Sequence, residues 1–493
     1  MTKNTILRTL CVGLMIAGMS DGVHAQEAAR VDMKPLLHPL FSDNAVLQRD
    51  RPVPIWGWTE PQGQVVVQLD GDKQQTARAG SDGRWMVSLA PHAAGGPHLL
   101  SVMGSGAGEV ATRQNVMFGD VWLCGGQSNM AYDLYGANNP EAEIAAANYP
   151  NIRLLQVPNA IKATSIQTFE TTGAWQVCSP QTVARFSAVG YFFGRKLHHD
   201  LNVPIGLIDD SWSGTPGQSW VSGPALAAMS DFKPAVDALK QSESAAGTPP
   251  HLDNPNAPEV LFNGKIAPLL PVQIKGVIWY QGESNADTAA EAEQYRTLLP
   301  VLVNDWRAHF GARTPFHIVQ LSSFKAPDDA PSDDPWPHLR EAQLQTAQRL
   351  PHTHLVVVID LGEEKNVHFR NKQEAGLRLA MSALDHTYGV KVDSSGPALR
   401  GAKVVKGAVE LTFDHAQGLN LKGDESRVFA VADADRKFHW ATPQIDGNKV
   451  TLRSVDVPSP VYARFAWSNN PRAALYNAAG LPASPFRTDP DAK

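Results

Sequence analysis

The stretch "GDVWLCGGQSNM" (119–130) carries an apolar run, Val121 to Cys124, straight into two glycines, a glutamine and a serine. The run reads as a β-strand ending at Gly125 and Gly126, where the absence of Cβ atoms lets the backbone turn sharply. A serine just beyond such a strand can expose its hydroxyl while the N–H groups of the next turn point at one place. That arrangement supplies a nucleophile and part of an oxyanion site together. Taken alone, the stretch reads more simply as a tight glycine turn with a helix-capping serine. The familiar G-x-S-x-G turn is not met, because Met130 stands where its last glycine would be. What flanks the stretch decides between the two readings.

Downstream, apolar runs alternate with helical patterns. The strand candidates are "NIRLLQV" (151–157), "PIGLIDDSW" (204–212), "KGVIWYQG" (275–282), "PFHIVQL" (315–321) and "HLVVVID" (354–360), with helices expected over 187–201, 291–309, 339–350 and 371–386. Such alternation predicts an α/β domain, a parallel sheet covered by helices on both faces, with ligands at the carboxyl ends of its strands. Upstream, residues 35–117 have the period of strands, with turn signals at Asp70-Gly71 and Asp82-Gly83. The strand period returns after about 390 in "GAVELTF", "RVFAVAD", "PQIDGNKVTLR" and "VYARFAW". The segment 230–260, rich in proline, alanine and asparagine, reads as an irregular insertion. The chain is therefore divided into a leader (1–25), an N-terminal β-rich unit (26–117), an α/β domain (118–390) and a C-terminal β-rich unit (391–493).

A hydrophobic content of 43% with 19% charged residues matches an ordinary globular protein, and a formal charge of -6 argues against a nucleic-acid-binding surface. In the leader, Lys3 and Arg8 precede an apolar run, Leu10 to Met19, too short to span a bilayer, and Val23-His24-Ala25 forms a small-residue cleavage site before Gln26. The expectation is a periplasmic or secreted protein without a membrane anchor, since Cys11 lacks the small residue that precedes a lipidated cysteine. Beyond the leader only Cys124 and Cys178 remain, so one disulfide is arithmetically open. In its apolar strand Cys124 reads better as a small hydrophobe. No cysteine pair or HExxH run suggests a metal site.

"GGQSNM" resembles the first block of the SGNH hydrolases, in the branch that holds sialate O-acetylesterases and related bacterial carbohydrate acetylesterases, including those acting on plant xyloglucan. Five further stretches resemble that branch in its order: "LFSDNAVLQRDRPVPIWGW" (40–58), "SWSGTPGQSW" (211–220), "VIWYQGESNA" (277–286), "LREAQ" (339–343) and "LYNAAGLPASPFRTD" (475–489). The resemblance spans nearly the whole chain after the leader. It implies a three-layer α/β/α, flavodoxin-like SGNH hydrolase domain with a parallel sheet, flanked by antiparallel β-rich units. It also implies a carboxylic ester hydrolase that frees acetate from acetylated glycans, xyloglucan or a similar hemicellulose being favoured over sialic acid, without metal or organic cofactor.

Residue by residue, the resemblance makes Ser128 the nucleophile and Gly214 the glycine whose N–H joins that of Ser128 in the oxyanion hole. Gln281 lies where SGNH enzymes keep an asparagine aimed at the same oxygen. The base falls on His368, in "NVHFRNKQEAGLRLA" (366–380). The family often places an aspartate two or three residues before this histidine, but Lys365 and Asn366 stand there. Glu283 of "QGESN" is the candidate for the third member, with Asp360, Glu363 or a backbone carbonyl as alternatives. Trp212 and Trp279, beside the catalytic blocks, are expected to shape the substrate pocket, whereas Trp56, Trp58 and Trp85 read as core. Two other classes stay open: a carbohydrate-binding protein that kept the fold and lost catalysis, and a glycosidase using Asp209 or Asp210 with Glu283.

Overall fold

The structure, a computed structural model, describes residues 34–106, 108–169, 173–246 and 253–490, so the leader lies outside the described residues. The strands that frame the site are β1 (Val46–Gln48), β2 (Gly95–Met103), β3 (Val110–Gly126), β4 (Tyr149–Gln156), β5 (Gln176–Cys178), β6 (Ile205–Ser211), β7 (Gly276–Tyr280), β8 (Phe316–Val319) and β9 (Thr353–Val356). Their order is β9-β8-β7-β3-β6-β4-β5. All neighbours on this path run parallel except β5, which pairs antiparallel with β4. The sheet is therefore mixed. All six expected strands lie in it, and they were legible because a parallel strand buried on both faces reads as a continuous apolar run, as Val121 to Cys124 and Val277 to Tyr280 do.

The helices that matter here are α1 (Ser128–Ala131), α2 (Ala188–Leu201), α3 (Lys233–Ala246), α4 (Ala289–Phe310), α5 (Pro335–Arg349) and α6 (Lys372–His386). α2 packs against α6, and α4 against α5. Helix α3 corrects the reading of 230–260 as irregular. Pro234 sits at its second position, where a missing N–H costs nothing, and Phe232, Val236 and Leu239 repeat at helical spacing to bury one face.

β3 is 17 residues long and serves two units. Its first half pairs antiparallel with β2 and, from Met117, parallel with β1; its second half lies between β6 and β7 in the central sheet. The boundary expected at 117/118 falls inside this strand, and one continuous core runs from Val65, Val67 and Leu100 to Trp122 and Ile278. The C-terminal unit has a second core around Leu411, Phe413, Leu452 and Phe465, and its Asp446-Gly447 turn closes a hairpin as expected. Arg340 of the "LREAQ" block joins the two bodies. Wholly buried in α5, it donates to the carbonyls of Leu321 and Ser322 on one side and of Ser468 and Asn469 on the other.

Cys124 and Cys178 are both buried and unpaired with each other. Trp56, Trp58 and Trp85 are core residues. Among the described residues, no helix is long and apolar enough to cross a membrane.

Candidate active site

Strand register brings the site together. Gly126, the last residue of β3, pairs with Ser211 on one side and Tyr280 on the other. The turns that leave these three strands therefore begin level with one another: Gln127-Ser128, Trp212-Ser213-Gly214 and Gln281-Gly282-Glu283. The chain builds β4 and β6 on one side of β3, then β7, β8 and β9 on the other. This is the switch in strand order where α/β sheets open a crevice. Gly126 cannot be replaced: its φ is 138°, and a Cβ there would lie 2.0 Å from the Tyr280 carbonyl oxygen.

Ser128 opens α1, so its N–H has no carbonyl of its own helix to bond. It is half-buried, and its hydroxyl makes no hydrogen bond to any described residue. Its two neighbours turn inward. Gln127 accepts through Oε1 from the N–H groups of Gly282 (3.3 Å) and Ser284 (3.1 Å), and donates to Ser284 Oγ. Asn129 donates from Nδ2 to Glu283 Oε1 at 2.5 Å and to the Val367 carbonyl at 3.1 Å, while its Oδ1 accepts from Lys372 Nζ. Asn129 thus ties the "QGESN" loop and the residue before His368 to the serine turn.

His368 sits on a loop held by short-range bonds. Asn366 accepts from its N–H at 3.0 Å and donates to its carbonyl at 2.9 Å, and Glu363 accepts from the Arg370 N–H at 2.8 Å. The position where an orienting acid was looked for is therefore spent on loop shape. The imidazole stacks on Tyr132 with ring centres 5.9 Å apart, and its nitrogens bond no described residue. Burial, then the Lys372 charge, hold its pKa below the ordinary value. A base must be neutral to accept a proton, so the acidic limb of kcat/KM is expected below pH 6.5, the ordinary imidazole midpoint. A limb at or above that pH in a rate profile would contradict this environment.

Glu283 has one oxygen on Asn129, and the other, Oε2, is buried without a partner. Burial raises its pKa, against the pull of Asn129 and Lys372. Asp360 stands apart from this group, paired with Arg378 at 2.6 and 2.8 Å and accepting from Tyr476 of the C-terminal unit at 3.1 Å. Asp209 and Asp210 are buried below the crevice with Lys265. Lys265 lies 3.3 Å from Asp210, and Asp209 accepts from Ser211. This internal charge cluster is unlike two acids facing a glycosidic bond.

Gly214 is exposed with φ 77°, and its N–H has no acceptor among the described residues. Gln281 is wholly buried. Its Nε2 donates to Asn285 Oδ1 (2.8 Å), Gln127 Oε1 (3.1 Å) and the Thr215 carbonyl (3.4 Å), and its Oε1 accepts from Tyr295. Its amide is spent inside the protein, bracing the three turns against one another. Trp212 is half-buried where β6 ends. Trp279, by contrast, is wholly buried and edge-on to Trp220 and Trp306, so it packs beneath the site and does not face the crevice. Among the described residues, no group of three or more His, Cys, Asp or Glu is placed to hold a metal ion.

Residues 118–385 match the family model described as carbohydrate esterase, sialic acid-specific acetylesterase. The chain belongs to this esterase family. The sialate O-acetylesterase of Pongo abelii is 31% identical over 498 residues, covering 90% of this chain and 91% of its own, and that of Homo sapiens is 30% identical over 500 residues with the same coverage. A crystal structure of a carbohydrate acetylesterase from Xanthomonas citri is 39% identical, with a TM-score of 0.83 over 92% of this chain and 99% of that one. The esterase is thus a carboxylic ester hydrolase acting on acetylated carbohydrate.

Sequence reasoning passed over Gln127, Asn129 and Lys372 of this esterase, although all three lie inside the stretches it quoted. Lys372 had a readable signal. It stands at the first position of a helix, four residues after His368, close enough along the chain for the two to share one turn of backbone.

Proposed function

We propose that the protein is an exported carbohydrate O-acetylesterase in which Ser128 attacks the acetyl carbonyl and His368 takes the serine proton. Glu283 is the acidic member, acting on this pair through Asn129. The oxyanion of the tetrahedral intermediate is received by the N–H groups of Ser128 and Gly214, with Gln281 holding the turns that carry them. The observation that carries this reading is the register of Gly126 with Ser211 and Tyr280, which sets all three turns at one strand end. The packing of α2 on α6 and of α4 on α5, as two separate pairs, supports the three-layer SGNH arrangement.

The proposed substrate is an O-acetylated hemicellulose such as xyloglucan. It is supported by the resemblance of the six ordered motifs to the bacterial branch of the family, and the identity to the Xanthomonas citri enzyme supports an acetylated carbohydrate without choosing between hemicellulose and sialic acid. A sialate reading has its own support in Arg370, an exposed residue two positions past His368 whose Nε donates to the Gly136 carbonyl at 3.4 Å and whose terminal nitrogens bond no described residue. Acetate release from acetylated xyloglucan and from O-acetylated sialic acids, by wild type and Arg370→Ala, separates the two. Hemicellulose specificity predicts release from xyloglucan that is indifferent to Arg370. Release confined to sialic acids, and lost in Arg370→Ala, would reverse the assignment. Export, to the periplasm or beyond, is supported by the composition of residues 1–25 alone and is tested by locating the mature protein and its first residue.

Gly214 gives a graded test of the oxyanion site. Gly214→Ala keeps the N–H and meets no atom within 4 Å, so its cost is the positive φ alone, about 1 kcal/mol of stability. Gly214→Pro removes the donor and is expected to lower kcat by about 10²- to 10³-fold. Circular dichroism and melting curves must accompany the assay, since proline cannot adopt this φ. Equal activity in the two variants would remove Gly214 from the site.

A further inference from the structure

We propose that Lys372 is a positioning residue for the esterase reaction, its ammonium setting the Asn129 amide that ties Glu283 and the His368 loop to the Ser128 turn. The inference rests on the assignment of Ser128 and His368 given above.

Lys372 opens α6 and is wholly buried. Among the described residues no carboxylate lies within ion-pair distance of it. Its hydrogen bond goes to Asn129 Oδ1, and its remaining surroundings are ring faces: Phe369 at 3.8 Å, Tyr132 at 5.0 Å and Tyr280 at 5.7 Å from the ring centres. A buried ammonium is costly without a directly paired carboxylate, and cation–π contacts offset only part of that cost. Any apolar residue would fill the same space at less expense, so the charge itself requires a role.

The chemistry of the groups fixes that role. An ammonium only donates, while the Glu283 carboxylate and the Val367 carbonyl only accept. The Asn129 amide therefore has one orientation, with Oδ1 on Lys372 and Nδ2 on Glu283 and Val367. A positive charge on the oxygen side draws density through the amide and strengthens both N–H bonds. Lys372 thus reaches Glu283 through an intervening amide and not by contact.

The groups that face Lys372 come from four places: Glu283 after β7, Glu363 and His368 on the base loop, Tyr132 after α1 and Tyr280 at the end of β7. Burial presses its pKa from the ordinary 10.5 down to about 7, against the attraction of Glu283 and Glu363. Tyr132 meets both, its ring stacked on the imidazole and within cation–π reach of the ammonium. The nearby positive charge disfavours a second one on His368 and keeps the base neutral. Turnover then needs His368 deprotonated and Lys372 protonated together.

The test measures hydrolysis of an aryl acetate against pH, with melting temperatures, for wild type, Ser128→Ala, Lys372→Met and Lys372→Gln. Lys372→Met is expected to lower kcat about 100-fold with KM changed less than about threefold, and Lys372→Gln, which keeps a donor for Asn129 without the charge, to recover about tenfold of that loss. In both, the acidic limb of kcat/KM should move to higher pH, because His368 loses its cationic neighbour. The alkaline fall of the wild type near pH 7 should vanish with the group that causes it. A Lys372→Met enzyme within about threefold of wild type, or one whose loss of rate follows its melting temperature with both limbs in place, overturns the proposal. If neither variant folds, Asn129→Ala, which removes the amide that Lys372 sets, decides: a loss of kcat with KM and melting temperature little changed supports the proposal, and kcat within about threefold of wild type overturns it. Full activity in Ser128→Ala would instead refute the site assignment on which the inference stands.

Discussion

Ser128→Ala is expected to abolish deacetylation, lowering kcat by about 10⁴-fold or more, while the melting temperature stays within about 2 °C of wild type. The two halves of this expectation have separate causes. The attacking oxygen is lost outright, and a serine–histidine system without its nucleophile keeps only what binding and oxyanion donors supply. The fold loses almost nothing, because the hydroxyl is half-exposed and bonds no described residue, and the turn is shaped by Gly126 and by the inward bonds of Gln127 and Asn129. Acetate release from an acetylated glycan, measured beside a melting curve, checks both. More than about 1% of the wild-type rate in a folded variant would end the nucleophile assignment. A wild type that binds glycan but releases no acetate would favour the binding-protein reading. Release of sugar by Ser128→Ala would point to paired carboxylates.

The second large effect separates two carboxylates that sequence reasoning left in competition. Glu283→Gln is expected to lower kcat by about 10²- to 10⁴-fold, as other amide-for-acid changes at catalytic triads do. Its stability should hold or rise at neutral pH, because Glu283 is a buried carboxylate with an unpartnered oxygen. Asp360→Asn should do the reverse. It leaves Arg378 with Glu374 as its one remaining ion-pair partner among the described residues and weakens the contact to Tyr476, costing roughly 1–3 kcal/mol of stability with turnover nearly intact. Kinetics and denaturant melts on the two variants therefore move in opposite columns. If Asp360→Asn alone slows turnover, Asp360 is the third member. If neither slows it more than a few-fold, the enzyme works as a serine–histidine pair.

How much of this could be read beforehand depended on how far each signal reached along the chain. Six buried strands and four amphipathic helices were visible because their patterns are complete within ten to twenty residues. Ser128, Gly214 and His368 were singled out through ordered motifs, and the structure sets the turns of the first two at neighbouring strand ends. The roles of Asn129 and Lys372 were hidden because the partners of Asn129 lie 154, 238 and 243 residues away. Only the assembled sheet brings them together. Trp279 and Gln281 show the opposite failure: both flank a catalytic block in sequence, yet the strand end they occupy turns them inward. The missing aspartate before His368 has a local answer in the reciprocal Asn366 bonds, which no pattern of acids could reveal.

The strand that leads into Ser128 also limits how this protein can be taken apart. Since β3 belongs to the N-terminal unit over its first half and to the catalytic sheet over its second, the two are not separable modules. A fragment beginning at residue 118 would cut its own central strand in two and lose part of a shared core, so it should be insoluble or molten. Calorimetry of the intact chain should show one cooperative transition for everything from β1 to α6, with any separate event confined to the C-terminal unit and its own core. Recombination between such enzymes should therefore fail at a joint at the start of the catalytic block, and a joint after α6 must keep the partners of Arg340, Asp360 and Glu341 in the C-terminal unit.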